Sequence, residues 1–152
     1  MADIKLLWNE EKQECDIDLE TINNGKEIID VDSGDDLITA ILISLLSNAS
    51  AESDWAYSLD KYGWCCDSDI ERPVGSLLWQ LSYQPVQNNE TYIAMSNGYI
   101  QEALSWLIED NICKDVSVES SIVGDTGKSL LINVTVVKAD DSVLQYSYIW
   151  KQ

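Results

Sequence analysis

The chain has 152 residues and a mass of 17.1 kDa, a length that predicts a single domain spanning residues 1–152. Its formal net charge of -18 excludes a protein that grips the nucleic-acid backbone, which needs basic patches to displace counterions. Hydrophobic residues at 45% are enough to bury a core without staples, and the absence of histidine removes every Ser–His or Cys–His nucleophile pair, so no catalytic residue is nominated.

In chain order, Ile4, Leu6 and Trp8 alternate with Lys5 and Leu7, and Ile17 and Leu19 alternate with Asp16 and Asp18. This period of two predicts a pair of strands joined through Asn9 to Glu14. Asn23-Asn24-Gly25 is a turn signal, and Lys26 to Val31 reads as a short third strand. Ser33 with Asp36 forms a capping-box pattern, and the acids Asp35 and Asp36 suit the positive start of a helix from Asp35 to Leu46. Its apolar residues (Leu37, Ile38, Ile41, Leu42, Ile43, Leu45, Leu46) cover almost every side, which predicts a buried helix.

Ser47 to Ser68 is a long irregular stretch holding Trp55, Tyr57, Tyr62, Trp64 and the Cys65-Cys66 pair. Its aromatic side chains gain too much from burial to stay disordered, so it reads as an ordered loop that packs on its own domain or meets a partner. Gly75 to Tyr83 predicts a short helix stopped before Pro85. Asn88 or Asn89 caps the longest helix, which reaches about Asp110. Ile93, Ser96, Ile100, Ala103, Leu104 and Leu107 share one side of it, and Asn97-Gly98 marks the expected place of any kink. The last third alternates strictly: Val116, Val118 and Ile122; Leu130, Ile132, Val134 and Val136; Leu144, Tyr146, Tyr148 and Trp150. Gly124-Asp125-Thr126-Gly127 and Ala139-Asp140-Asp141 connect these strands as hairpins. The order of elements predicts an α+β fold, a mainly antiparallel sheet from N- and C-terminal strands packed against about three helices.

Motifs for small-molecule chemistry fail on inspection. Gly127-Lys128-Ser129 lacks the glycine a phosphate loop needs at Ile122 and precedes a strand instead of a helix. Asp30 to Asp35 resembles the opening of a calcium loop, but Ile41 stands where the bidentate glutamate belongs. Without histidine, a tetrahedral zinc would need all four of Cys15, Cys65, Cys66 and Cys113, and no Cys-x-x-Cys occurs; free thiols are expected, with no metal and no cofactor. No basic n-region precedes an apolar core near Met1, and the longest apolar run is too short to span a bilayer, so neither a signal peptide nor a membrane partner is expected.

Six Trp, seven Tyr and no Phe favour side chains with a polar handle, the kind enriched at protein interfaces. Asp69-Ile70-Glu71-Arg72-Pro73 leading into Gly75-Ser76-Leu77-Leu78-Trp79 contains the chain's one arginine, with Asp67, Asp69 and Glu71 as nearby acids and Pro73 holding Arg72 extended. This stretch resembles the motif region of baseplate wedge proteins of contractile phage tails, most of all the small Mu-like branch, within a lineage that includes the T4-type wedge component that initiates the sheath and its type VI secretion counterpart. Ile4 to Trp8, Leu37 to Leu45, Tyr99 to Asp110 and Tyr146 to Trp150 extend the resemblance over nearly the whole chain in order. Where the wider lineage has Glu-Pro-Arg this chain has Glu71-Arg72-Pro73, and Leu77 stands where the Mu-like branch often has arginine.

The resemblance implies a structural, non-enzymatic subunit assembled in a bacterial host's cytoplasm into the virion's tail baseplate. It implies contact with other wedge proteins, hub or spike proteins and the tail sheath protein, the last by strand addition to an edge such as Val143 to Trp150 or Ile4 to Trp8. Asp69, Glu71, Arg72, Pro73, Trp79, Tyr146, Tyr148 and Trp150 are the interface residues it nominates. Two rival readings remain open from composition: an acidic DNA mimic that inhibits a nucleic-acid-binding protein, and a small enzyme using a carboxylate pair such as Asp67 with Asp69 or Glu71.

Overall fold

The computed structural model describes residues 6–9, 14–17, 19–23, 27–31, 36–59, 61–63, 72, 74–83, 88–123 and 129–151. The chain falls into two compact units, residues 1–43 and 44–152. In the first, β1 (Leu6–Asn9) pairs antiparallel with β2 (Glu14–Ile17), Leu6 opposite Ile17 and Asn9 opposite Glu14. A second hairpin pairs β3 (Leu19–Asn23) with β4 (Glu27–Val31). The turn signal at Asn23-Asn24-Gly25 thus separates two strands that do pair, but Ile17 and Leu19 belong to different hairpins, not to one strand. The Ser33 cap lies outside the described residues.

Helix α1 (Asp36–Leu46) has its last turn, from Ser44, in the second unit. Thr39, Ile41, Leu42, Ser44 and Leu45 are buried while Ile43 is exposed, so the helix has one open side despite its apolar sequence. The short helix expected over Gly75 to Tyr83 is a 3-10 helix confined to Leu78–Ser82. Few residues separate the elbow from Pro85, and a run so short closes i→i+3 bonds more readily than it nucleates an α-helix. Its Leu78, Trp79, Gln80 and Leu81 are all buried.

Helix α2 (Asn89–Leu104) starts at an Asn88 cap whose Oδ1 accepts from the Thr91 amide at 2.8 Å. It runs through Asn97-Gly98 without interruption and breaks at Ser105, whose amide bonds back three residues to Glu102 O at 3.2 Å. One more turn, α3 (Trp106–Glu109), closes with Asn111 in the left-handed region at φ 57°. There the Ile112 amide donates to Leu107 O at 2.9 Å and the Asn111 amide to Ile108 O at 3.0 Å, a Schellman ending that satisfies the last carbonyls. Ser96, Ile100, Leu104 and Leu107 form the buried face as expected.

The C-terminal strands are β5 (Cys113–Val123), β6 (Ser129–Lys138) and β7 (Val143–Lys151), antiparallel in the order β5-β6-β7. Val118 lies opposite Val134, which lies opposite Tyr146; Ser120 lies opposite Ile132, which lies opposite Tyr148. This register puts the alternating apolar residues of all three strands on one face, where Leu130, Ile132, Val134, Val136 and Tyr148 are buried. Helix α2 packs on β5, and Ser96 meets Ser120 there, hydroxyl to hydroxyl, at 3.2 Å. The β6–β7 hairpin turns at Ala139-Asp140-Asp141 as expected: Asp140 Oδ1 accepts from the Ser142 amide at 3.0 Å and Asp141 has φ 66°. The Gly124 to Gly127 connection lies outside the described residues.

The α+β class and the antiparallel pairing agree with expectation. Two features differ. The N- and C-terminal strands form three separate sheets among the described residues instead of one, and only α1 and α2 are longer than a single turn, so the helix count is about two.

Candidate functional site: elbow, aromatic cluster and sheet edge

The elbow is fastened to the segment leaving α1. Ser76 donates its amide to Ser47 O at 2.9 Å and accepts the Ala49 amide on its own carbonyl at 3.0 Å, forming a parallel bridge between Asn48 and Ser76. Its buried hydroxyl donates to Leu45 O at 2.7 Å, occupying one of the carbonyls that the last turn of α1 leaves without an intrahelical donor. Gly75 makes this approach possible. Its φ is +118°, and a Cβ there would stand 2.7 Å from both Ala49 N and Ser47 O.

Arg72 stands at the surface, where Nη2 donates to Asp110 Oδ1 at 2.9 Å and Nη1 lies 3.6 Å from Glu109 Oε2. These partners are more distant in sequence than the Asp67, Asp69 and Glu71 singled out from the motif. A signal for them existed. Two adjacent acids at a helix C-terminus face the negative end of the helix dipole and gain from a nearby cation. All three side chains are about half exposed, so the pair orients the elbow more than it stabilises the fold. Asp69, Glu71 and Pro73 lie outside the described residues.

A cleft of about 320 Å³ opens beside the elbow, lined by Arg72, Ser76, Glu52, Glu102, Tyr99 and Trp106 among others. Both aromatic walls are pinned through their polar atoms: Tyr99 OH donates to Gln80 Oε1 at 3.3 Å, and Trp106 Nε1 donates to Ser44 Oγ at 3.1 Å. Among the described residues no group of three or more His, Cys, Asp or Glu converges to hold a metal ion. Cys113 is a free, buried thiol, and burial followed by the nearby Asp115 charge raises its pKa. The other cysteines have no described side chains.

Trp79, one of the residues nominated for an interface, is buried, and its indole N–H donates to Ala49 O at 3.0 Å. Rings gather around it edge to face, with centroids 5.3 Å away for Trp55, 4.5 Å for Tyr62 and 5.9 Å for Tyr83. Tyr62 OH and Tyr83 OH share a hydrogen bond at 3.3 Å. The described part of the irregular stretch after α1 packs on its own unit through these rings, one of the two outcomes expected of it; Asp60, Trp64 and the Cys65-Cys66 pair lie outside the described residues.

Tyr148, also nominated for an interface, is buried as well. It lies opposite Ile132 in the core and is 1% exposed, and burial raises its phenol well above the ordinary range, with Tyr146 adding to the shift. Tyr146, with its ring centroid 6.2 Å from that of Tyr148, and Trp150, opposite Leu130, are half-buried on the same face. What β7 presents to solvent is the opposite row, Val143, Gln145 and Ser147. Among the described residues β7 pairs with β6 alone, leaving it an edge strand. No described helix is long and apolar enough to cross a membrane.

A family model described as phage protein GP46 matches residues 37–143, from α1 to the first residue of β7. The chain is 28% identical over 151 residues to the baseplate protein gp46 of Escherichia phage Mu, covering 97% of this chain and 95% of that protein. It is 30% identical over 149 residues to the Mu-like prophage FluMu protein gp46 of Haemophilus influenzae, covering 97% and 96%. The elbow, the Trp79 cluster and α2 all fall inside the matched region, and the chain belongs to the phage protein GP46 family.

Proposed function

We propose that this chain is a structural subunit of the tail baseplate of a contractile phage or phage-like particle, acting by docking and not by catalysis. The observation that carries the reading is the similarity to the Mu baseplate protein over nearly the full length of both chains. That extent also supports treating residues 1–152 as one functional module, whatever the internal division into two units.

Within that role two surfaces have separate tasks. The Arg72 elbow docks other wedge proteins and the hub or spike. A guanidinium half open to solvent, held by Asp110 and Glu109, can exchange one of those carboxylates for a partner's without crossing a low-dielectric barrier. The β7 edge receives the tail sheath protein. Its nine residues offer a ladder about 30 Å long to an incoming strand, and its exposed row of Val143, Gln145 and Ser147 faces away from the core. Both contacts form in the cytoplasm of the bacterial host before the particle matures.

A tagged pull-down from cells assembling the particle tests this, with Arg72→Ala beside the unaltered chain. Recovery of wedge, hub or sheath proteins with the unaltered chain and loss of wedge or hub from the folded variant supports the elbow contact. Recovery with both removes Arg72 from the interface and keeps the baseplate role. A nuclease or polymerase recovered in their place would favour the acidic-mimic reading.

A further inference from the structure

The loop after α1 carries more exposed apolar surface than its anchoring requires. Trp55 and Trp79 fix it, and Tyr57 packs at a tilt against Trp55 with centroids 5.1 Å apart, yet Tyr57 is 58% exposed. Tyr62 and Tyr83, each packed on Trp79, are 45% and 41% exposed, and Leu59, between Tyr57 and Tyr62 in sequence, is entirely exposed. The ring contacts join Tyr57, Trp55, Trp79, Tyr62 and Tyr83 into one aromatic cluster, centred on the buried Trp79, whose three tyrosines reach solvent.

Its backbone is held rigid. The Ala51 amide donates to Lys61 O at 2.8 Å, and Lys61 Nζ donates to Ser53 O at 2.8 Å, tying the two ends of the loop together. Tyr62 adopts φ 44° and Gly63 φ 96°, so a tyrosine is kept in a left-handed conformation that few such residues take. Rigid aromatic side chains with one polar end are the residues that dominate protein interfaces, because little entropy is lost when a partner covers them.

Charge selects the partner. Lys61, the cation of this loop, is directed at backbone carbonyls, while Glu52 and Asp54 in the turn before Trp55 are exposed and make no ion pair among the described residues. A second copy of the chain is a poor occupant: each carries -18, and its one arginine already grips Asp110 and Glu109. We propose that Tyr57, Leu59, Tyr62 and Tyr83 form a docking surface for an arginine-bearing apolar segment of a partner protein. Its guanidinium stacks on the tyrosine faces and meets Glu52 or Asp54, while its apolar side chains cover Leu59. This surface shares Glu52 with the cleft beside the Arg72 elbow and none of its residues with the β7 edge, and the inference does not depend on the baseplate reading.

The test is an NMR titration of the ¹⁵N-labelled full chain with the synthetic peptide acetyl-Leu-Arg-Leu-Leu-Arg-Leu-amide and with its counterpart bearing glutamates in place of arginines. Saturable shifts confined to residues 52–63, Tyr83 and the indole N–H groups of Trp55 and Trp79, seen with the arginine peptide only, are expected. The double variant Tyr57→Ser with Leu59→Ser, both at exposed positions, should bind about tenfold more weakly with the dispersion of its remaining resonances unchanged. Equal shifts from the glutamate peptide, shifts elsewhere, no shifts, or undiminished binding by a folded double variant would each overturn the proposal. Concentration-dependent shifts of the same residues without peptide would overturn it in favour of a second copy.

Discussion

Replacing Gly75 by alanine puts one methyl group where the fold has no space for it. The added Cβ would lie 2.7 Å from Ala49 N and Ser47 O and 3.0 Å from Asn48 C, all backbone atoms that cannot swing aside. The same residues make the hydrogen bonds that join the elbow to the end of α1, Ser76 N to Ser47 O and Ala49 N to Ser76 O. Holding a non-glycine residue at a φ near +118° costs about 1–3 kcal/mol. Displacing the segment weakens two backbone hydrogen bonds worth about 0.5–1.5 kcal/mol each. The expected loss is about 3 kcal/mol, a large part of the roughly 5–15 kcal/mol that a domain has. Urea unfolding followed by tryptophan fluorescence reads this as a lower midpoint at unchanged slope. Gly98→Ala is the matched control. Nothing lies within 4 Å of a Cβ built there, and the position is mid-helix in α2, so the same chemical change should stabilise by up to about 1 kcal/mol. A Gly75→Ala loss below about 1 kcal/mol, or the same sign for both variants, would refute the reasoning.

Other consequences follow from the buried polar atoms. Trp79→Phe keeps a ring at the centre of the cluster but removes the donor to Ala49 O, and should cost about 1–2 kcal/mol in the same urea assay, against about 3–5 kcal/mol for Trp79→Ala. Tyr92 OH is buried with no hydrogen-bond partner among the described residues, so Tyr92→Phe should leave stability at neutral pH unchanged or raise it by about 1 kcal/mol. Burial raises the phenol pKa of both Tyr92 and Tyr148. The unfolded chain therefore loses these protons first, and stability should fall as pH rises above about 10; Tyr92→Phe should shrink that fall, as read by urea midpoints across the alkaline range. Arg72→Ala breaks half-exposed ion pairs with Asp110 and Glu109, each worth about 1 kcal/mol or less, so an effect on binding much larger than the effect on stability belongs to the interface.

The strands of the C-terminal sheet were legible because strict alternation over Leu130 to Val136 and Leu144 to Trp150 fixes both strand identity and the face that turns inward. The Asn88 cap and the apolar side of α2 were legible for the same reason, since both are written within a few consecutive residues. What escaped depends on residues far apart in the chain. Arg72 meets Asp110, 38 positions on, and the positive φ of Gly75 follows from the approach of Ser47 to Ala49. The helix break at Ser105, where Asn97-Gly98 looked weaker, coincides with Trp106 reaching Ser44 62 positions earlier, a tertiary contact overriding local propensity. Trp79 and Tyr148, which the family resemblance nominates for an interface, have their bulk buried in the fold, a burial that the resemblance does not reveal. Among the described residues the exposed aromatic side chains are Tyr57, Tyr62 and Tyr83, whose exposure no local pattern encodes.

The baseplate role is tested most directly on purified particles. Quantitative mass spectrometry of tails from cells producing them, beside cells in which only this chain is deleted, reads both incorporation and need. The expected result is the chain present at a fixed ratio to other baseplate proteins, and no sheathed tails without it. Intact, sheathed tails from the deletion, or particles that lack the chain altogether, would contradict the role.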